Sequence, residues 1–369
     1  MTQTAAKGLG KSLRIVWAIV AKDVVDALKN RNTLSNIVVV LFTVAAYQAL
    51  PAWLIPDELP FVPVYDAGDS SLPAALENSS ALDSRQYASL QLLKEKVAVG
   101  DERRLGLVIP ADFDQVVASG GEPVFEGYVI YWMSDSAATE LKEQVESEIA
   151  SLAGRPVHIN LEGNQVYLSP DPVHLGSSAY LAATALVIAL ALLGMTVTPH
   201  LILEEKQART IDILLVSPAS SSHIVIGKAL TGLFYCLTCA TLVLALNRTF
   251  INLWGVAVLA ATAGSLFAVA MGLLMGIIFE DRKQFTIWGF GAMAILLWPV
   301  FLSMLAPILP DALDLVVSWV PTVTILKLSI ASFAASVSLA DVVPGLAYVL
   351  GWTIVLLVIV AWLVRRSDR

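Results

Sequence analysis

The chain has 369 residues, of which 57% are apolar and only 15% charged, with a mean hydropathy of +0.72. A soluble domain carries roughly 45–50% apolar and about 25% charged residues, so this composition excludes an ordinary soluble protein. The formal charge of −8 is unevenly split: residues 54–176 hold 20 acids and 7 bases, the remainder 11 acids and 16 bases. The split indicates two environments rather than one acidic surface, and it leaves no basic face for nucleic acid.

In chain order, the first feature is KGLGKSL. Gly10-Lys11-Ser12 has the tail of a phosphate-binding loop, but Ala5 stands where the first glycine belongs and no strand precedes it. A glycine-rich turn after a buried strand is what lets backbone N–H groups wrap phosphates, so no ATP site is expected in this chain. Residues 1–32 then read as an amphipathic helix. Leu13, Val16, Trp17, Val20, Val24 and Leu28 fall in one arc, with Lys11, Lys22 and Lys29 opposite. That pattern suits a helix lying flat in the headgroups of the inner leaflet.

Six stretches are long and apolar enough to cross about 30 Å of hydrocarbon: 33–53, 177–203, 224–247, 251–279, 285–308 and 342–364. Each must be helical, because lipid offers no partner for backbone groups. The first starts too late for a cleaved secretory leader and is read as a retained span. Placing the N-terminus inside puts fourteen Lys and Arg residues on the inner segments, against only Arg248 and Lys327 on the short outer segments. Both termini are therefore expected inside and residues 54–176 outside. Trp53, Trp254, Trp298 and Trp319 then fall near outer span ends.

Residues 54–176 alternate between strand and helix patterns. Strands are expected at 60–66, 104–110, 123–132 and within 155–168, and helices at 84–98, 111–119 and 135–152. Asp135 is a candidate N-cap and Gly120-Gly121 a stop signal. The expected fold is a membrane all-α bundle of six transmembrane helices with an inserted extracellular α/β domain.

No stretch carries catalytic chemistry. Cys236 and Cys239 share a helix face inside an apolar run, where cysteine packs as a small apolar residue. His158 and His174 lack the partner spacing of a metal site, so no metal is expected, and His200 and His223 read as polar residues at a boundary. Gly272 and Gly276 form a GxxxG, which allows close helix packing within one subunit or between two. The most informative stretch is 204–218, EEKQARTIDILLVSP, which leaves the second span charged, turns amphipathic and ends at Pro218.

This stretch, extended to EEKQARTIDILLVSPASSSHIVIGKAL, resembles the signature of type-2 ABC exporter permeases. The matching residues are Glu205, Lys206, Thr210, Ile211, Asp212, Leu214, Leu215, Ser217, Pro218, Gly227 and Lys228; Ala208-Arg209 departs from the usual glycine before the threonine. The resemblance extends to the N-terminal helix (the family's connecting helix), the outer domain around 105–123, the turn EDRKQ (280–284), and SWVPTVTILKLSI (318–330). This last stretch is similar to an outer re-entrant segment, here near 309–340, with Pro321 and Lys327 matching.

The resemblance implies a permease subunit of an ATP-driven exporter in a bacterial cell membrane. It implies a coupling helix at 204–218, in which Glu204, Glu205, Lys206, Thr210, Ile211, Asp212, Leu214, Leu215, Ser217 and Pro218 contact an ATP-binding subunit. A second permease subunit and membrane lipids are further implied partners. ATP and Mg would be held by the partner, with no cofactor in this chain. The scarcity of charge in the spans suits an apolar or amphiphilic cargo. The rival reading is a non-transporting surface protein whose outer domain binds a ligand or partner; six spans exceed what an anchor needs.

Overall fold

A computed structural model describes residues 14–26, 59–98, 103–130, 133, 135–161, 165–166, 177–207, 221–303, 310–334 and 337–367, with eight further positions between 34 and 46. The chain forms two compact units. One comprises Met1–Gln48, Ala182–Ser332 and Val337–Arg369; the other comprises Ala49–Leu181 and Phe333–Ser336.

The first unit is helical. It opens with α1 (14–26), followed by Leu34, Ser35, Val38, Val39, Leu41, Phe42, Ala45 and Ala46, all helical; the rest of the expected span 33–53 lies outside the described residues. Five long apolar helices follow: α6 (Ser177–Gln207), α7 (Ser221–Leu246), α8 (Trp254–Ile278), α9 (Arg282–Leu302) and α12 (Leu339–Ser367). Each corresponds to one of the expected spans. Between α9 and α12 the expected re-entrant segment contains two short helices, α10 (Asp311–Ser318) and α11 (Pro321–Ala331).

The long helices are not equivalent. Along its apolar window α6 is 83% buried and α8 67%, whereas α9 and α12 are each 22% buried. On α9 the side chains of Ile287, Trp288, Phe290, Ile295 and Trp298 all face outward. On α12 only Val342 and the stripe Val349, Thr353, Leu356 and Val360 are buried. Outward apolar side chains cost nothing in hydrocarbon, so a membrane bundle can leave its peripheral helices half bare.

Small residues explain why α6 and α8 sit at the centre. Gly264, Ala268, Gly272 and Gly276 recur every fourth residue along α8 and form one stripe. A Cβ on Gly272 would overlap the Gly194 carbonyl of α6, and one on Gly276 would lie 2.9 Å from Ile202 Cδ1. A Cβ on Gly194 would lie 2.5 Å from Ala268 Cβ. Gly232 of α7 approaches the same region, where an added Cβ would sit 2.5 Å from Thr198 Oγ1. The GxxxG therefore packs helices of one chain against each other.

The opposite helix ends are pinned by polar contacts. Asn247, just past α7, is buried and donates through Nδ2 to the Ala182 carbonyl at 2.8 Å. The backbone N–H groups of Asn252 and Leu253, at the start of α8, donate to the Ser332 carbonyl beyond α11. Thr322 Oγ1 of α11 donates to the Leu296 carbonyl of α9 at 2.5 Å.

The second unit is a small α/β domain. Its elements are β1 (Phe61–Asp66), α2 (Leu72–Glu77), β2 (Asp83–Gln86), α3 (Leu90–Ala98), β3 (Gly106–Ile109), α4 (Phe113–Ser119), β4 (Val124–Ile130), α5 (Asp135–Ala153), β5 (His158–Asn160) and β6 (Gln165–Val166). The sheet runs β2-β1-β3-β4-β5, with β6 also pairing β4. Only the β3–β4 pairing is antiparallel. Val62, Val64, Leu107, Ile109 and Phe125 on one face meet Leu72 and Leu76 of α2, Phe113 of α4, and Leu141, Val145 and Ile149 of α5. Gly106 opens the other face to Leu93 and Val97 of α3, which would lie 2.6 and 2.7 Å from an added Cβ.

Two expectations for this domain need correction, and one helix was not expected. The helix expected at 84–98 starts only at Leu90; Asp83–Gln86 is instead a strand on the sheet edge. Its polar sequence shows no alternation because an edge strand is held by its backbone and stays solvated on both faces. The short helix α2 has no counterpart in the sequence reading, since six residues with a proline near the start are too few to show a period. Asp135 is the first helical residue of α5 rather than its cap. Gly120 does end α4, in the left-handed conformation at φ 88°.

The glycine stripe yields a contrast that can be measured. Gly272→Leu is expected to destabilise the folded protein by about 3 kcal/mol or to prevent monodisperse extraction, because overpacking a closed interface forces helices apart. Gly351→Leu on α12, where an added Cβ meets nothing within 4 Å, is expected to be tolerated. Thermal unfolding of the two variants in detergent makes the comparison.

Candidate functional site

The end of α6 carries the charged start of the signature stretch, and three elements converge there. Helix α8 stops at Ile278, leaving its last carbonyls without helical donors. Lys206 supplies the donors: Nζ lies 2.9 Å from the Gly276 carbonyl, 2.8 Å from that of Ile277 and 2.9 Å from that of Phe279. An ammonium has three N–H bonds, and here all three are used on one helix terminus. The cation also faces the negative end of the α8 dipole. Burial lowers the Lys206 pKa from its ordinary value, and nearby Glu280 opposes the shift.

Glu204, half a turn earlier, pairs with Arg282 at 3.1 Å, which ties α6 to the start of α9. Both side chains are more than a third exposed, so the pair is worth at most about 1 kcal/mol. Asp281 caps α9, accepting from the Gln284 N–H at 2.7 Å. His200, one turn before Glu204, sets its ring edgewise against Phe285, with centroids 5.7 Å apart. The turn EDRKQ, Glu204 and Lys206 thus form one cluster on three helix ends.

A second cluster joins α1 to α7. Lys228 Nζ lies 2.8 Å from Asp23 Oδ2, and both side chains are almost wholly buried. Tyr235 Oη donates to the Val24 carbonyl at 2.8 Å. Gly227, without a side chain, admits Ile19, whose Cγ2 would be 2.6 Å from an added Cβ. Removing one partner of a buried ion pair leaves an uncompensated charge, at a cost of about 3–5 kcal/mol.

This cluster changes the reading of α1. The expected apolar arc ran from Val16 to Leu28, but the buried residues are Val16, Val20 and Asp23, with Ile19 half-buried between them, a face turned by about 60° at 100° per residue. Trp17 remains 70% exposed beside it. Asp23 was missed because it falls just outside the expected apolar arc, where an acid reads as solvated, and its partner lies far away in sequence. The Gly227-Lys228 dipeptide was the available signal.

The remaining site residues separate. Glu205 lies in α6, while Thr210, Ile211, Asp212, Leu214, Leu215, Ser217 and Pro218 lie outside the described residues. Pro321 begins α11 and is buried; Lys327 is the one exposed side chain among the eleven of that helix. A narrow apolar crevice among α6, α8, α9 and α11, lined by Leu190, Met195, Phe267, Leu296 and Ile325 among others, has about 10 Å³ of free space. That is the room of about one water molecule. Among the described residues no group of His, Cys, Asp and Glu could hold a metal ion.

The model of the ABC-2 family transporter protein family matches residues 34–362, nearly the whole chain. The chain belongs to the ABC-2 transporter family. It is a multi-pass permease subunit, of the kind that lacks an ATPase domain and works with ATP-binding subunits. No curated protein matches the chain.

The two polar contacts at the end of α6 should separate in strength. Lys206→Met leaves three carbonyls at the α8 terminus without their donor and is expected to cost about 2–3 kcal/mol. Arg282→Ala is expected to cost less than about 1 kcal/mol. Thermal unfolding of the purified permease in detergent measures both; equal effects would show that the Lys206 contact is no stronger than a surface ion pair.

Proposed function

We propose that this ABC-2 permease is the membrane half of an exporter, in which ATP-driven closure of separate subunits is passed to the spans through residues 204–218. The observation that carries this reading is the ordered signature itself, beginning at Glu205-Lys206 and running through Ser217-Pro218 to Gly227-Lys228. Its support from the structure is positional. The stretch starts where Lys206 and Glu204 join the ends of three long helices, so a push on it would act on α6, α8 and α9 together.

In this reading both termini and residues 204–218 lie on the cytoplasmic side of a bacterial cell membrane, with residues 54–176 on the outer side. ATP binding favours one arrangement of the partner subunits, and the permease follows because its contacts differ between the two arrangements. In this reading a second permease subunit completes the cargo path, as the resemblance of the signature stretch implies. The low charge of the spans favours apolar or amphiphilic cargo.

Two measurements test the proposal. Leu214→Asp with Leu215→Asp should leave the ATP-binding subunit able to hydrolyse ATP while transport in reconstituted vesicles falls by about tenfold or more; unchanged transport would remove the coupling role. Ser217→Cys, placed in a Cys236→Ala, Cys239→Ala background, should resist a membrane-impermeant maleimide in intact cells and react in inside-out vesicles. Labelling from the same side as residues 54–176 would rule out contact with a cytoplasmic ATPase.

A further inference from the structure

We infer that Asp23 and Lys228 weld α1 to α7, so that the N-terminal helix and the span after the signature stretch move as one body. The inference rests on the proposed coupling role of this end of the molecule, and it names the span that α1 would drive. Both charged side chains are almost wholly buried and 2.8 Å apart. Opening such a pair would separate opposite charges in a medium of low dielectric, so it resists separation far more than an exposed pair does.

The weld has further supports beside the charges. Ile19 fills the space left by Gly227, the Val24 carbonyl accepts from Tyr235, and Val16 and Val20 are buried on the same face of α1. Contacts at residues 19, 23 and 24 meet 227, 228 and 235, about two turns of α7, which resists rotation as well as separation. By contrast, α6 is tied to α8 and α9 through Lys206 and the half-exposed Glu204–Arg282 pair. The signature stretch is thereby flanked by two anchored helix ends, that of α6 on α8 and α9 before it and that of α7 on α1 after it. Asp23 and Lys228 act as positioning residues that keep α1 in register with its span.

The test uses the full permease, with Cys236→Ala and Cys239→Ala, co-purified with its ATP-binding subunit. Ile19→Cys and Gly227→Cys are added; the present Cβ positions lie 3.1 Å apart, a few tenths of an ångström under the usual disulfide range of about 3.5–4.5 Å. A disulfide is expected to form on mild oxidation and to leave ATP hydrolysis within about twofold of the reduced complex, less than the smallest usual coupling effect. Hydrolysis lost by about tenfold and restored by reductant would show that the contact must open during the cycle, which overturns the weld.

A second arm examines the ion pair. Asp23→Lys should lower the yield of the cross-link by about fivefold or more, and the swap Asp23→Lys with Lys228→Asp should restore it. An unchanged yield in Asp23→Lys, or no cross-link in the parent, would overturn the assignment. The cross-linking arm needs the permease alone, so its result stands even if no ATP-binding subunit co-purifies, an outcome that would count against the exporter proposal instead.

Discussion

The structure depends on how closely α6 and α8 approach. In lipid there is no hydrophobic force between two apolar helices, because hydrocarbon chains cover them as well as each other's side chains do. What remains is van der Waals contact, which falls steeply with distance, so backbones must come near one another. Gly194 on α6 and the stripe Gly264, Ala268, Gly272 and Gly276 on α8 make that approach possible. The other long helices are arranged around this pair, with α9 and α12 leaving most of their surface outward.

Close packing fixes the middle of the bundle, and polar groups fix its ends. A helix that stops near the membrane surface leaves carbonyls or N–H groups to be satisfied, and each choice of partner determines which helix ends lie together. Lys206 brings the end of α6 to the end of α8; Asn247 brings the end of α7 to α6; the Ser332 carbonyl receives the start of α8. Two residues of the family signature, Lys206 and Lys228, thus have structural partners within the chain before any second subunit is considered. A signature of this kind records fixed geometry around a contact surface as well as the surface itself.

The α/β domain follows different physics. It contains no cysteine, and its stability comes from apolar side chains closed between a mixed sheet and helices on both faces. Its central strands β1 and β3 are nearly continuous apolar runs because they are covered on both sides, while the polar edge strand β2 is protected from pairing with other chains by its charge.

The sequence by itself determined the class of the protein, the five long helices described here and most strands of the α/β domain. These depend on periodicity and length, which are local properties of the chain and survive without knowledge of neighbours. It also determined the family, because the signature residues are ordered and contiguous. What it could not determine is which side chains meet across the fold. The edge strand Asp83–Gln86 has no local pattern, since its partner β1 holds it by backbone alone. Asp23 reads as a solvated acid until Lys228 is placed against it, and the GxxxG of α8 is ambiguous until Gly194 is found opposite. Such pairings join residues far apart in sequence, and only the tertiary structure decides them, because burial and approach distance belong to two segments at once.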